Sequence, residues 1–378
     1  MRPMDAIRTP TDARWSCRAC GFCCHLFKLG PVEPEIIEGL RQRGIEQRWA
    51  PAAAQPWMRE EVGPDGRSAA FLTHVDGHCV FLRPDNLCAI HGLFGAEAKP
   101  GFCREYPFHV TSDAEGLVAV VRADCSGAAD SFEDGQPTAE QAPSVVDLPR
   151  VVPRKPWAPE LVQALPDLRV AGNVWAAWER ELLASLDATR ADPPGPEAMV
   201  AALRDRLCDL AGEDPLEADG ARYVMALRAA LQGLSMVLGP MVERVPPGTS
   251  DWERSFTAEM IAVIERARAR LAEDYSTLDA PLAQDARRYL NLTLRSQILG
   301  KSVHGLGGFS EGVGAWLLDA AIARAGQPEG WDPEIPLSAS ELGRVLSRWR
   351  KFSVNGAVQH VLRLARPALV DAFLHVEA

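Results

Sequence analysis

Eight cysteines crowd into the first third of this 378-residue chain, and they are the residues best suited to chemistry. Four lie in one nonapeptide, Cys17-Arg-Ala-Cys-Gly-Phe-Cys-Cys-His25. Because thiolates bind zinc and iron–sulfur clusters, all eight are predicted metal ligands: Cys17, Cys20, Cys23, Cys24, Cys79, Cys88, Cys103 and Cys125. The ninth, Cys208, lies within a predicted helix, where we expect it to pack as a small hydrophobic residue.

The spacing within the nonapeptide favours an iron–sulfur cluster, most simply [4Fe-4S], over zinc. Cys17, Cys20 and Cys23 follow each other at intervals of three, so three thiolates on a tight loop can face one cluster, with Gly21 easing the turn. A zinc knuckle usually contributes two cysteines, which leaves zinc as the alternative. Neighbouring side chains are expected to diverge, so Cys24 should serve a second site or stay free.

The later part of this region supplies the remaining donors. Eight cysteines suffice for two four-thiolate sites, or for one cluster and one zinc ion. Three histidines that lie close in sequence to these cysteines are further candidate nitrogen ligands: His25, His78 and His91. Histidine also commonly supports a metal loop without binding the metal, and this alternative stays open.

Charge and hydropathy argue against several classes of protein. Lys and Arg total 40 against 51 Asp and Glu, giving a net charge of -11, which predicts no binding to nucleic acid or to an anionic membrane. The sequence contains no apolar run suited to a signal peptide or a membrane span, so we expect a cytoplasmic protein. In that reducing compartment clustered cysteines indicate metal binding or catalysis rather than disulfides.

Short strands are expected to position the cysteines. Residues 69–74 are predicted to pair with 79–82, and residues 108–110 with 117–121 across a turn at 113–116. Six prolines then indicate a linker, because proline at that density interrupts regular structure: Pro137, Pro143, Pro149, Pro153, Pro156 and Pro159.

Helical periodicity dominates the rest of the chain. Apolar residues recur at three- and four-residue spacing, and Ser250 with Glu253 and Ser338 with Glu341 form capping-box patterns. The predicted helices lie near 160–188, 196–212, 219–239, 251–273, 281–303, 310–325 and 338–375, the last one broken. Their tryptophans are expected to pack in the core: Trp175, Trp178, Trp316 and Trp349.

The predicted fold class is therefore α+β. A small, loop-rich, metal-bound cysteine-cluster domain with short hairpins is expected at 1–130. A proline-rich linker follows at 131–158, and an all-α helical domain at 159–378.

Four linked blocks resemble the CxxCxxCC cysteine-cluster family, which is described as zinc- or iron-chelating, over about residues 15–126. The blocks are Cys17-x-x-Cys20-Gly-x-Cys23-Cys24, Cys79-x-Phe81-Leu82 leading to Cys88-x-Ile90-His91, Lys99-Pro100-x-x-Cys103-Arg104-x-x-Pro107, and Cys125. Within that family, the long helical continuation and the segment 289–301 are similar to the bacterial flagellin lysine N-methylases. The resemblance implies transfer of a methyl group from S-adenosylmethionine to a lysine of a flagellin-like protein.

The residues themselves support only the metal-binding half of this implication. The chain has no glycine-rich turn between a strand and a helix, and residues 305–308 are predicted to form a helix–helix turn. Arg104 could donate to a cluster sulfur or a substrate carboxylate, and Glu105 could accept a lysine proton. His91 and Tyr106 are further catalytic candidates, and a surface ion pair or structural hydrogen bond is the alternative for all of them.

Three functions therefore remain open. The first is an iron–sulfur-dependent protein-lysine N-methyltransferase. The second is a non-catalytic zinc- or iron-chelating module whose helical domain docks a protein partner. The third is an electron-transfer or redox-sensing protein.

Overall fold

Short antiparallel strand pairs build the part of the chain that carries the eight clustered cysteines, and helices build most of the rest. This architecture confirms the predicted α+β class. The computed structural model describes residues 7–25, 28–63, 66–148, 155–212, 217–241, 249–273 and 275–377.

The first part alternates short strands with short helices. Its strands are β1 (Arg14–Trp15), β2 (Met58–Val62), β3 (Ser68–Leu72), β4 (His74–Val75), β5 (His78–Cys79), β6 (Phe108–Asp113), β7 (Gly116–Val121) and β8 (Gln136–Pro137). Its helices are α1 (Pro34–Gln42), α2 (Ile45–Arg48), α3 (Ala50–Ala54), α4 (Ala89–Phe94), α5 (Gly101–Glu105), α6 (Ser126–Ser131), α7 (Thr138–Gln141) and α8 (Pro143–Val146).

One of the two predicted strand pairs is confirmed and the other is wrong. β6 pairs with β7 across the predicted turn, with Phe108 opposite Val121. β3, however, pairs with the preceding strand β2, and only the two-residue β4 and β5 bring His74 opposite Cys79. The charged, exposed sequence of β2 is typical of an edge strand and gives little apolar signal.

The described portion of the predicted linker is folded. α7 and α8 place Ala142, Val145 and Val146 in a small core with Phe108 and Val110. Prolines at the start of a short helix, as at Pro143, are compatible with helical backbone, which explains why they do not interrupt structure here. Pro149 and Pro153 lie outside the described residues, and the division into two domains stays a prediction.

The second part begins with a hairpin and continues in helices. The elements are β9 (Leu161–Leu165), β10 (Leu168–Ala171), α9 (Gly172–Ala188), α10 (Pro196–Ala211), α11 (Gly220–Leu238), α12 (Asp251–Glu273), α13 (Gln284–Leu299), α14 (Phe309–Ala325), α15 (Ala339–Ser353), α16 (Gly356–Leu364) and α17 (Arg366–His375). The helix predicted from residue 160 was therefore wrong for its first turns, because β9 and β10 pair there. The break predicted within 338–375 is confirmed, and residues 305–308 do connect two helices.

The helices enclose a large apolar core. Trp175, Trp316 and Trp349 are almost fully buried in it, and Trp178 and Cys208 are buried as well, as predicted. One described helix, Gly220–Met241, is long and apolar enough to cross a membrane by length and composition alone. A core helix of a soluble protein passes the same test, and Leu227, Leu231 and Leu234 of this helix are fully buried.

The two parts are in close contact along α15. A side chain at Gly343 of α15 would place its Cβ 2.0 Å from the Cβ of Ala129 in α6. A second contact joins Lys301, which is buried, to Glu179 and Asp113. The cysteine-bearing part therefore packs directly on the helices.

Candidate metal centre

The nonapeptide ends in a 3-10 helix, Phe22–His25, that brings two thiols together. The Sγ atoms of Cys23 and Cys24 are 4.0 Å apart. Two sulfurs bound to one tetrahedral zinc ion lie about 3.8 Å apart, because each Zn–S bond is about 2.3 Å long. The expectation that these neighbouring side chains diverge was therefore wrong, since the tight 3-10 turn places both on the same side. Gly21 has a φ of 70° and supplies the predicted turn.

Three later cysteines share a small core with Cys24, and together with the Cys23–Cys24 pair they form the inner cysteine set. Cys79 lies at the end of β5, Cys88 precedes α4 and Cys103 lies within α5. Burial raises the pKa of Cys79 to about 12, and the negative charges of Cys88 and Cys23 add to this rise. Burial also raises the pKa of Cys103, and the neighbouring Cys79, Cys88 and Cys23 raise it further. Cys24, Cys88 and Cys103 pack against the small core that contains Cys79, so separate elements bring these cysteines to one place.

Within the pair, the two thiols have different proton affinities. The contact between the two sulfurs lowers the pKa of Cys23 to about 6 and raises the pKa of Cys24. Cys23 is therefore mostly a thiolate at neutral pH. A thiolate is the form of cysteine that binds metal.

The other three cysteines, Cys17, Cys20 and Cys125, form the outer cysteine set. Cys17 and Cys20 are exposed, whereas Cys125 is buried just before α6. The Cys20 sulfur lies 3.2 Å from the hydroxyl of Ser126, the residue that follows Cys125. Within the described residues no hydrogen bond links Cys17 or Cys20 to Cys23, so their sharing of one cluster stays a prediction.

The inner set fits a metal in donor type, burial and location. Its pair of sulfurs already has the spacing of zinc ligands, and Cys79 belongs to the small core beneath it. In the part of the chain that the structure describes, no three Cys, His, Asp or Glu side chains are arranged to hold a metal ion. The thiols are thus gathered at one place, but the observed side-chain orientations do not form a complete coordination sphere.

Two lysines, which sequence reasoning missed, accompany the inner set. Lys99 is half-buried, and although burial disfavours its charge, the neighbouring sulfurs of Cys103 and Cys88 raise its pKa. Lys351 of α15 is fully buried, and its ammonium donates a hydrogen bond to the carbonyl of Phe22. Burial lowers the pKa of Lys351 to about 8, against the opposing charges of Asp124 and Cys23. A lysine in an amphipathic helix gives no sequence signal of such a contact.

The candidate histidines take different places. His25 stacks on Trp252 of α12 with ring centroids 4.4 Å apart, and its Nδ1 is 3.2 Å from the carbonyl oxygen of Gly77. Burial lowers the pKa of His25 to about 4, so it is neutral at pH 7. His78 lies 5.8 Å from His25 between ring centroids, and His91 is exposed. His25 therefore helps to join the nonapeptide to the helices.

The catalytic candidates line neither of the two cavities described below. Arg104 forms an ion pair with Glu97 at 2.7 Å, Glu105 is buried, and the hydroxyl of Tyr106 donates to the Asp124 carbonyl at 3.0 Å. One enclosed cavity is lined in part by Ala13 and Tyr289, and an open groove elsewhere is lined by other residues. Neither contains a cysteine or a catalytic candidate. Arg104 thus forms a surface ion pair and Tyr106 a structural hydrogen bond, which are the expected alternatives to a catalytic role.

Comparison with known proteins supports metal chelation and nothing more specific. No curated protein and no solved structure matches the chain. The similarity to flagellin methylases thus has no named relative behind it. Residues 16–126, which include both cysteine sets, match the model of the CxxCxxCC family, described as a "Putative zinc- or iron-chelating domain".

Proposed function

We propose that this protein binds zinc or iron through the inner cysteine set, and that the metal stabilises the cysteine-bearing part against the helices. The observation that carries the proposal is the meeting of five cysteines from four separate chain segments at one small core, with Cys23 and Cys24 at ligand spacing.

The cysteines of the inner set differ in how readily they lose a proton to bind metal. Cys23 offers a thiolate at neutral pH, whereas Cys79 and Cys103 hold their protons because burial disfavours the charged form. A bound metal ion supplies the positive charge that lets such thiols ionise, so loading releases protons. Rotation of Cys79, Cys88 and Cys103 toward the Cys23–Cys24 pair would complete the ligands, and one of the five is surplus to a tetrahedral site.

A stabilising role for the metal agrees with the small core of this part. Trp57, Phe81 and Ile90 are buried beneath the inner set, in a core much smaller than that of the helices. Small domains with limited apolar burial commonly depend on metals or cross-links. The helices would then present a surface to a protein partner in the cytoplasm, where thiols stay reduced.

Anaerobic purification followed by metal and sulfide analysis tests this function. We expect bound zinc or iron in the wild-type protein, with inorganic sulfide and a brown colour if the site holds an iron–sulfur cluster. Cys23→Ser should lose the metal. Cys208→Ser, at a buried cysteine remote from both sets, should keep it. Metal-free wild-type protein, or equal loss in both variants, would contradict the assignment.

Protein-lysine methylation is the second candidate, and the exposure of Cys17 and Cys20 favours it, because a centre extended to the outer set would be open to solvent. A [4Fe-4S] cluster with one iron free of thiolate can hold S-adenosylmethionine. Labelled S-adenosylmethionine, given to the cluster-replete protein with a co-expressed flagellin-like protein, should then label a lysine. A reversible midpoint potential without methyl transfer would instead indicate the redox function.

A further inference from the structure

α15 places two charged side chains beneath the nonapeptide, the half-buried Arg348, 5.6 Å from the centre of the Phe22 ring, and the fully buried Lys351. The ammonium of Lys351 lies 3.9 Å from the centre of the Phe22 ring and also donates to the Phe22 carbonyl. Phe22 directly precedes the Cys23–Cys24 pair in the same 3-10 helix. One hydrogen bond from a helix 329 residues away in sequence therefore fixes the backbone that carries two inner thiols.

A buried ammonium with a neutral carbonyl as its hydrogen-bond acceptor requires negative charge nearby. Transfer of a charge from water into a protein costs several kcal/mol unless it is compensated. Asp124 acts on Lys351, but its carboxylate already binds Arg122 through two hydrogen bonds of 2.9 and 2.6 Å. The next negative group that acts on Lys351 is Cys23, which directly follows Phe22 in the 3-10 helix.

The charge of a metal–thiolate site matches this arrangement. A zinc ion with four thiolates carries a net charge of about -2. Lys99 and Lys351 contribute one positive charge each beside the same sulfurs. Lys99 belongs to the cysteine-bearing part itself, whereas Lys351 comes from the helices.

We propose that Lys351 is a positioning residue of the metal centre, which brings a positive charge from α15 to the inner cysteine set and so couples docking of the helices to retention of the metal. This inference rests on the proposed metal-binding function. It predicts that the metal binds less tightly when the charge is removed, although Lys351 is not itself a ligand.

Zinc competition against a chelator tests the coupling without any assay of activity. Lys351→Met removes the charge, Lys351→Gln removes the charge but keeps a hydrogen-bond donor, and Lys351→Arg keeps both. Loss of groups that support a metal site typically weakens binding about 10- to 100-fold. We expect a loss in this range for K351M and K351Q, and a zinc affinity close to wild type for K351R. K351Q carries the test if K351M does not fold.

Lys301→Met is the matched control. Lys301 is also a buried lysine that joins the two parts, but it binds Glu179 and Asp113 rather than the nonapeptide. K301M should lower stability and leave zinc affinity unchanged. Hydrogen exchange gives a second readout, because zinc should slow exchange in α15 of the wild type and not of K351Q.

Two results would overturn the inference while the proposed function stands. In the first, K351M and K351Q bind zinc as tightly as the wild type, and in the second, K301M loses zinc to the same extent as they do. Failure of the wild-type protein to bind zinc or iron would overturn the proposed function and this inference together.

Discussion

The cysteine-bearing part and the helical part obtain their stability by different means. The helices enclose the large side chains of Trp175, Trp316 and Trp349, which are removed from water almost completely. The core beneath the inner cysteine set is small, and it includes one of the thiols, Cys79. Apolar burial is enough for a helical part of this size, whereas a small core usually needs a metal or a neighbour. From this comparison we expect the cysteine-bearing part to depend on a bound metal and on α15.

Removal of the metal should have the largest effect on this contrast. Structural zinc sites contribute about 10–16 kcal/mol in small metal-dependent domains. Chelation under reducing conditions should therefore abolish hydrogen-exchange protection in β2, β3 and α4, and leave protection in α13 and α14. Re-addition of zinc or iron should restore the lost protection. Undiminished protection of β2 and β3 in protein shown to be metal-free would erase the contrast.

A side chain at Gly343 should disrupt the contact between the two parts. Its Cβ would lie 2.0 Å from the Cβ of Ala129, so Gly343→Val must push α15 away from α6. We expect a loss of about 3 kcal/mol in the free energy of unfolding, as for other overpacked sites, measured by urea denaturation.

Gly39→Val in α1 is the matched control, because a Cβ at Gly39 meets no atom within 4 Å. Its effect should stay within about 0.5 kcal/mol, since valine and glycine differ little in helix propensity. Equal effects of the two substitutions would show that the approach of α15 to α6 contributes nothing.

Mild acid should weaken the helical part through His304. Burial lowers the pKa of His304 to about 4, in a pocket where it lies 4.9 Å from Trp157 between ring centroids. In the unfolded chain the histidine pKa is near 6.5, so between pH 6.5 and pH 4 the unfolded chain binds a proton at His304 and the folded protein does not. The contribution of His304 to the free energy of unfolding is therefore fully present above pH 6.5 and falls as the pH drops toward 4.

Between pH 7 and pH 5 this histidine should remove about 2 kcal/mol from the free energy of unfolding. Urea denaturation at the two pH values measures the loss. His304→Gln should lack this part of the pH dependence. A loss of the same size in H304Q would assign the acid sensitivity to other groups.

The capping box of α15 should give the smallest effect. The Ser338 hydroxyl accepts a hydrogen bond from the Glu341 backbone amide at 3.3 Å, and the Glu341 carboxylate accepts one from the Ser338 backbone amide at 3.0 Å. Ser338→Ala should cost about 1 kcal/mol in thermal or urea unfolding. Ser144→Ala, at an exposed serine that caps no helix N-terminus and whose hydroxyl donates only to the Gln141 carbonyl at 2.7 Å, should change stability by less than about 0.5 kcal/mol. A larger loss of stability for Ser144→Ala than for Ser338→Ala would show that the capping box gives α15 no particular stability.

Local patterns in the sequence predicted the helical part well. The apolar period of α12 and the capping boxes at Ser250 and Ser338 specify their helices through contacts three or four residues apart, and the structure contains both boxes. The hairpin at 161–171 was missed although its signals are local. Val162 and Ala164 alternate with more exposed residues, and Pro166 with Asp167 supplies a turn.

The candidate site was less accessible to sequence reasoning, because its geometry depends on distant segments. The cysteines themselves stand out by type and spacing. Their division into inner and outer sets follows from the packing of β5, α4 and α5, and the role of Lys351 follows from the docking of α15. Such contacts leave no periodic signal in the sequence, because each of the two contacting residues lies in an ordinary local sequence.

The large sequence separation between Lys351 and Phe22 also has a consequence during translation. A ribosome adds about 5–20 residues per second, so the 329 residues between the two partners take roughly 15–65 s to translate. During that interval the four thiols of the nonapeptide have left the ribosome while the helix that closes over them does not yet exist. The nascent chain is then open to oxidants and to tightly binding ions such as copper. The first part of the site to be made is thus the last to be closed.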